Sequence, residues 1–248
     1  MKLNSNYAKL IKQKVVDLSD KGLVDDDLDD VFYKAVEQST VLEELHLGWN
    51  RLTLADRKLA AAIAKNKAIK VLDLYPNNIG LAGIKHLANV LKENNAIQEL
   101  HLGSNNIGYE GAKCIANMLA VNETLQQIIL DENNIGDKGA EHLADVLKSN
   151  NTLQQLYLYR NEIGDEGAKC LAKMLADNKS LQNIDLSMNR IDDDGAGSIA
   201  TSLLVNSTMH AVNLACNHIG NEGAEKIKDA LKHNNTIKRL DLSDQEIR

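Results

Sequence analysis

A chain of 248 residues, 44% hydrophobic and with a formal charge of −7, can bury a sizeable core but lacks the basic stripe needed to track a phosphate backbone, so nucleic acid is excluded as its main partner. No run approaches the ~20 apolar residues of a membrane-spanning helix, and the acidic balance reduces an anionic membrane surface to a minor hypothesis. Three cysteines are too few for a disulfide scaffold and point to a reducing, cytoplasmic setting.

In chain order, residues 1–40 are expected to form a capping helix and a degenerate first repeat. Tyr7, Leu10 and Ile11 are spaced for one face of a helix, while Asn4, Ser5, Asn6 and the nearby lysines break up any signal-peptide core. Val16 and Leu18 begin an alternating strand pattern. The run Asp25, Asp26, Asp27, Asp29 and Asp30 lacks the spacing and the glycine of an EF-hand loop. It reads as a solvated acidic cap that favours a helix N-terminus.

Residues 41–248 are expected to be repeats of about 28 residues. Leu72, Leu100, Ile128, Leu156, Ile184, Val212 and Leu240 recur at a 28-residue step, and a leucine follows each two positions later. Leu45 precedes this ladder by 27 residues, and Val16 precedes Leu45 by 29. The two apolar positions alternate with polar ones, as in a short strand with one buried face. Asn77, Asn105, Asn133, Asn161, Asn189 and Asn217 follow where the chain leaves the strand, and their amides can satisfy turn backbone groups. Gly80, Gly108, Gly136, Gly164 and Gly220, with Asp192 in the same column, are expected to need positive φ or a close backbone approach. Asp137, Asp165, Asp193 and Asn221 are placed to cap the helices that follow. Asn66, Asn94, Asn122, Asn150, Asn178, Asn206 and Asn234 end those helices and are expected in the left-handed C-terminal cap. The last unit reaches Leu242 and stops at Ile247 and Arg248 without a helix, so a frayed end, or a chain that is part of a longer protein, is expected.

The period, the L-x-L-x-x-N block and the stretch from Asn161 to Asn178, N-E-I-G-D-E-G-A-K-C-L-A-K-M-L-A-D-N, resemble leucine-rich repeats of the ribonuclease-inhibitor-like subfamily. That resemblance implies an α/β solenoid, a right-handed horseshoe with parallel strands on the concave face and helices on the convex face. Strands ~4.8 Å apart beside helices ~8–10 Å apart curve the array in the same sense. The subfamily includes ribonuclease inhibitors, sensor ends of innate immune receptors, activators of Ran-type GTPases and bacterial effectors. Most bind another protein along the strand-lined face. The resemblance therefore implies a protein-interaction module, and the near absence of proline with an Asn/Lys/Ile-leaning composition is compatible with a bacterial effector working in a host cytosol. A GTPase activator, to which Arg51 beside Asn50 lends slight support, and a purely architectural array are the alternatives. A monomer is expected.

Specificity must lie in the strand residues that face away from the core. Between the two core positions stand His46, Asp73, His101, Ile129, Tyr157 and Asp185; the next outward positions hold Tyr75, Asp131 and Tyr159, then Trp49, Glu132, Arg160 and Met188. Aromatic residues make up only 3% of the chain, yet the single Trp and three of six Tyr fall in these columns. Aromatic and arginine side chains dominate interface hot spots. Tyr157, Tyr159 and Arg160, beside Ile129, Asp131 and Glu132, form the best candidate site, with Trp49 and Tyr75 as a second contact. Asp73, Asp131, Glu132 and Asp185 call for a partner with some basic surface.

No nucleophile lies at a defined spacing from a base, so no enzyme, catalytic residue or cofactor is expected. His46 and His101 share a column two strands, or about 10 Å, apart, which disfavours a shared metal ion. Cys216 reads as an exposed thiol with nothing basic in its own strand.

Overall fold

In a computed structural model, residues 12–245 are described. They form nine short parallel strands in one sheet, ordered as in the sequence. The strands are β1 (Val15–Asp17), β2 (Glu44–His46), β3 (Val71–Asp73), β4 (Glu99–His101), β5 (Gln127–Ile129), β6 (Gln155–Tyr157), β7 (Asn183–Asp185), β8 (Ala211–Asn213) and β9 (Arg239–Asp241). Between them lie eight α-helices: α1 (Asp30–Gln38), α2 (Lys58–Lys65), α3 (Gly80–Leu91), α4 (Gly108–Leu119), α5 (Gly136–Leu147), α6 (Asp165–Asp177), α7 (Asp193–Leu203) and α8 (Asn221–His233). Register follows the repeat, with Leu72 opposite Leu100, Leu100 opposite Ile128 and Leu156 opposite Ile184. Each helix packs on its neighbour, and one hydrophobic core runs between the sheet and the helices. The result is an α/β solenoid. The helix expected around Tyr7, Leu10 and Ile11, and the terminal Ile247 and Arg248, lie outside the described residues.

Two ladders of buried asparagine hold the units together. In the first, Asn161 Nδ2 donates to the carbonyls of Leu130 and Tyr159 at 2.9 and 3.1 Å, while its Oδ1 accepts from the N–H groups of Asn133 and Ile135 at 3.0 and 3.3 Å. Asn105, Asn133, Asn189 and Asn217 make equivalent bonds to the preceding unit. Gln245 takes this place in the last unit, its Nε2 donating to Leu214 O at 2.9 Å and its Oε1 accepting from Ile219 N–H at 3.1 Å.

The second ladder corrects the expected left-handed caps. Asn66, Asn178 and Asn234 have φ of −68°, −65° and −95° with ψ of 135°, 141° and 122°, which is extended backbone. Their side chains explain the geometry. Asn178 Nδ2 donates to Leu147 O and Asn150 O at 2.6 and 3.0 Å, and Oδ1 accepts from Ser180 and Leu181 N–H at 2.9 and 2.7 Å. Each asparagine thus closes the helix of the unit before it and opens its own route to the next strand, an Asx turn that requires no positive φ.

The glycine column also divides. Gly80, Gly108 and Gly136 have φ of +58°, +65° and +59° as expected, but Gly164 and Gly220 have φ of −100° and −85°, and Asp192 has −113°. The aspartates expected to cap their own helices decide the difference. Asp137 Oδ1 accepts from Gly164 and Gly167 N–H at 2.7 and 3.0 Å, Asp165 Oδ1 from Asp192 and Gly195 at 2.9 and 3.0 Å, and Asp193 Oδ1 from Gly220 and Gly223, both at 2.8 Å. Each aspartate caps the helix of the following unit. Where Leu81 or Tyr109 stands in that column, the glycine N–H turns instead to a ladder carbonyl, Gly108 to Asn133 O and Gly136 to Asn161 O, and φ becomes positive. A side chain on Gly167 or Gly195 would strike this cap, because a Cβ there would lie 2.7 or 2.5 Å from the aspartate oxygen.

The acidic run is likewise partly structural. Asp25 accepts from Thr53 N–H at 2.9 Å and from the Thr53 hydroxyl, and Asp29 caps α1 through Phe32 N–H at 2.9 Å. Removing a ladder amide strands several buried backbone groups at once, each costing about 1–3 kcal/mol. Asn161→Ala is therefore expected to lower stability by about 3 kcal/mol in urea unfolding followed by circular dichroism; an unchanged midpoint would show that water replaces the amide.

Candidate functional site

The strand face carries outward residues in register, and the loop that follows each strand has an unusual backbone. Trp49, Ser104, Glu132, Arg160, Met188 and Cys216 all have φ between +48° and +56°, as do Asp20 and Asp244. Non-glycine residues reach this left-handed region at a cost of about 1–2 kcal/mol. The ladder compensates where these residues donate backbone N–H to the following unit, as Glu132 does to Tyr159 O at 2.8 Å, Arg160 to Ser187 O at 3.0 Å and Met188 to Ala215 O at 2.9 Å. Pro76 has no N–H to donate and follows a cis peptide bond.

Two clusters form on this face. In the first, the Trp49 and Tyr75 rings meet edge to face, with centroids 6.3 Å apart and planes at 83°, and Trp49 remains 63% exposed. Gly103 lets Tyr75 lie flat over the next strand, for a Cβ there would be 2.5 Å from the ring. Beside them Asp73 sits between two histidines. Its carboxylate lies 3.4 Å from His46 Nδ1 and 3.9 Å from His101 Nδ1, and Glu44 reaches His46 Nε2 at 3.1 Å.

The second cluster gathers Ile129, Asp131, Glu132, Tyr157, Tyr159, Arg160, Asp185 and Met188. Asp131 Oδ1 accepts from Tyr159 N–H at 3.0 Å, and the Tyr159 hydroxyl lies 3.3 Å from Met188 Sδ. Tyr157 donates its hydroxyl to Gln155 Oε1 at 2.8 Å. Glu132 accepts from Ser104 Oγ at 2.6 Å and lies 3.4 Å from Arg160 Nη1, while Asp185 accepts from Asn213 Nδ2 at 2.9 Å. Burial, aided by Asp185 and Glu132, pushes Asp131 up to about 6, against the pull of the Tyr159 N–H. Burial and then Asp185 and Asp131 raise Tyr157. The two aromatic pairs do not meet: Tyr75 follows β3 and Tyr157 lies on β6, three strand spacings or roughly 14 Å apart.

One outward column is missing from the sequence-predicted residues, the position before the first core residue: Glu44, Val71, Glu99, Gln127, Gln155, Asn183, Ala211 and Arg239. Strict alternation about each core leucine is the signal for it. Gln127 Nε2 lies 3.4 Å from His101 Nε2, and Asn183 Nδ2 donates to Gln155 Oε1 at 3.4 Å, so these residues buttress the chosen ones. Near the C-terminal end a cavity of about 510 Å³ lies among Tyr157, Asp185, Asn213, His210 and Arg239. Cys216 shares a smaller cavity with Arg160 and Arg190 from neighbouring units, although its own strand holds no basic residue. Arg51 is exposed, and its backbone N–H donates to Leu23 O at 2.8 Å.

Five stretches, 93–116, 121–144, 149–172, 177–200 and 205–228, match the leucine-rich repeat family profile. The chain is built of leucine-rich repeats. Such repeats generally mediate protein–protein interaction, and no enzymatic family is indicated. Among solved structures, a protein from Bacteroides fragilis is 14% identical, with a TM-score of 0.54 over 88% of this chain and 71% of its own; the likeness is one of fold. The actin-binding site 2 of leiomodin-1 is 19% identical, with a TM-score of 0.43 over 65% of this chain and 78% of its own. A comparison with curated proteins gives no match. No helix among the described residues is long and apolar enough to cross a membrane.

Asp131 gives this repeat array a distinctive pH dependence. Its folded carboxyl holds a proton up to about 6, whereas the unfolded one releases it near the ordinary 3.8, so protonation favours the folded state and stability falls as pH rises from about 4 through 6. In Asp131→Asn the side chain is neutral throughout and can still accept from Tyr159 N–H. That variant is expected to unfold at higher temperature than the parent at pH 8 and to lose this advantage below pH 4; an equal gain at both pH values would assign the effect to packing.

Proposed function

We propose that the strand-lined face binds a protein partner through a basic segment, with Tyr157, Tyr159 and Arg160 as anchors and Trp49 and Tyr75 as a second contact. One observation carries this reading: the exposed Trp49 ring and the half-buried rings of Tyr75, Tyr157 and Tyr159 stand beside carboxylates on a face that the core does not require, and repeats of this kind generally serve protein interaction. Asp73, Asp131, Glu132 and Asp185, joined by Glu44 and Glu99, supply the negative field that favours a cationic partner. The uniform 28-residue step supports a place in the ribonuclease-inhibitor-like subfamily. Three free cysteines suit a reducing cytosol, that of a host cell if the protein is a bacterial effector.

A bound cation stabilises the charged form of Asp131, so binding releases a proton and is tighter at pH 7.5 than at pH 5.5. The test is affinity capture from cytosolic lysate with wild type beside the double variant Tyr157→Ala, Tyr159→Ala, matched for folding by circular dichroism. Preys that carry basic segments are expected to be enriched by wild type and depleted at least about tenfold in the variant, the size of a hot-spot loss. Identical profiles would remove the face from the function.

A further inference from the structure

Trp49 is the chain's single tryptophan, and it stands exposed beside the half-buried Tyr75. Their planes meet at 83° with centroids 6.3 Å apart. A pair set as a T leaves a right-angled corner on either side of its stem, where one group can touch the faces of both rings. Glycines keep the surroundings low. A Cβ on Gly103 would lie 2.5 Å from the Tyr75 ring, and one on Gly48 would lie 2.1 Å from the Tyr75 carbonyl oxygen, so the strands on either side of β3 present no side chain at this level. The point where a Gly48 Cβ would stand is also 3.5 Å from an Asp73 carboxylate oxygen, which brings a negative charge to the residue preceding Trp49.

Aromatic faces carry negative potential and attract cations. Two other rings are already covered from within the chain, Tyr33 by Lys58 Nζ at 5.8 Å and Tyr109 by Lys138 Nζ at 5.5 Å from the centroid. Among the described residues no lysine or arginine covers Trp49 or Tyr75 in this way. Shape and hydrogen bonding select the cation that would. A guanidinium is planar and stacks on one ring, whereas a corner of two faces fits a rounded group. A plain ammonium is compact, strongly hydrated and carries three donors, and the corner offers it few acceptors. Asp73 Oδ1 already accepts from Tyr75 N–H at 2.9 Å, and Oδ2 lies 3.4 Å from His46 Nδ1. Methylation removes donors, spreads the charge over methyl groups and weakens hydration, so a methylated ammonium loses least on entering and still feels the Asp73 charge.

We propose that the corner between Trp49 and Tyr75 binds the methylated ammonium of a lysine side chain on the protein partner. The proposal rests on the reading of the strand face as a protein-binding surface and names the chemistry of its second contact. With Trp49 63% exposed, the corner is open and encloses too little of a free molecule, since small-ligand sites bury most of their ligand. The ammonium is therefore delivered by a chain held along the strand face.

Fluorescence of Trp49 is the readout, because no other tryptophan contributes. A short peptide of glycine, serine and lysine with one central trimethyllysine is titrated beside three other probes: the same peptide with lysine at that site, a neutral analogue in which carbon replaces the methylated nitrogen, and tetramethylammonium chloride. The trimethyllysine peptide is expected to saturate and to bind at least about tenfold tighter than each of the others. Tyr75→Ala is expected to abolish that preference and Tyr75→Phe to keep it, with folding matched by circular dichroism. The double variant Tyr157→Ala, Tyr159→Ala is expected to leave the preference intact, which separates a failure at this corner from a failure of the strand face. A trimethyllysine peptide no tighter than its lysine form, while lysate capture still depends on Tyr157 and Tyr159, would overturn this proposal alone. Equal binding of the neutral analogue would assign the effect to apolar contact, equal binding of tetramethylammonium to a free ligand, and a preference that survives Tyr75→Ala to another site; each of these overturns it as well.

Discussion

A repeat built on three-residue strands has few strand-to-strand hydrogen bonds, so the integrity of the array depends on what satisfies the backbone between strands and helices. Buried amides do this at both junctions. Asn105 to Asn217 close the exit of each strand against the unit before, and Asn66 to Asn234 close the exit of each helix. An asparagine side chain carries two donors and one acceptor with two lone pairs, which matches a corner where two carbonyls and two N–H groups converge. Every amide reaches across a unit boundary, as do the carboxylates of Asp137, Asp165 and Asp193. No unit can therefore be satisfied alone, and stability becomes a matter of nearest neighbours.

The same constraint shapes the strand-lined face. To carry hydrogen bonds past the ends of β5, β6 and β7, the chain turns through a left-handed residue, and that residue is Glu132, Arg160 or Met188 rather than glycine. Conformational cost accepted at a position whose side chain points to solvent is compatible with a role for that side chain outside the fold. The fold therefore holds Arg160 and Met188 at a fixed place above Glu132 and Tyr159, which lowers the entropy lost when a partner is bound.

The parts of this structure that depend on residue type alone were legible in the sequence. Leucine columns announced the strands, their register and the shared core; asparagine columns announced the first ladder. What depended on a neighbouring unit was not legible. The φ of Gly164 is set by Asp137 and that of Gly136 by Tyr109, each a unit earlier, so one column of glycines conceals two backbone states. Asn178 suits a left-handed cap and an Asx turn equally well, and only the Leu147 and Asn150 carbonyls decide between them. The left-handed column was hidden because tryptophan, arginine and methionine have no preference for that region. Within the candidate site, the placement of Tyr157 and Tyr159 beside Asp131 follows from strand pairing, but the supporting glutamines needed the full alternation to be applied.

The spacing of the two aromatic clusters limits what can occupy the face. Roughly 14 Å separates Tyr75 from Tyr157, across strands that present Gly103, His101 and Ile129. Gly103 leaves a shallow floor under Tyr75, and Ile129 gives a small apolar step between His101 and Tyr157. A partner that touches both clusters must cross the strands with a segment of several residues, placing one cation near Asp73 and another near Asp131 and Asp185. Each contact alone is small, and their strength together depends on how rigidly the partner holds that span. For the proposed basic partner, a preformed helix or hairpin would meet this requirement with less ordering than a flexible peptide.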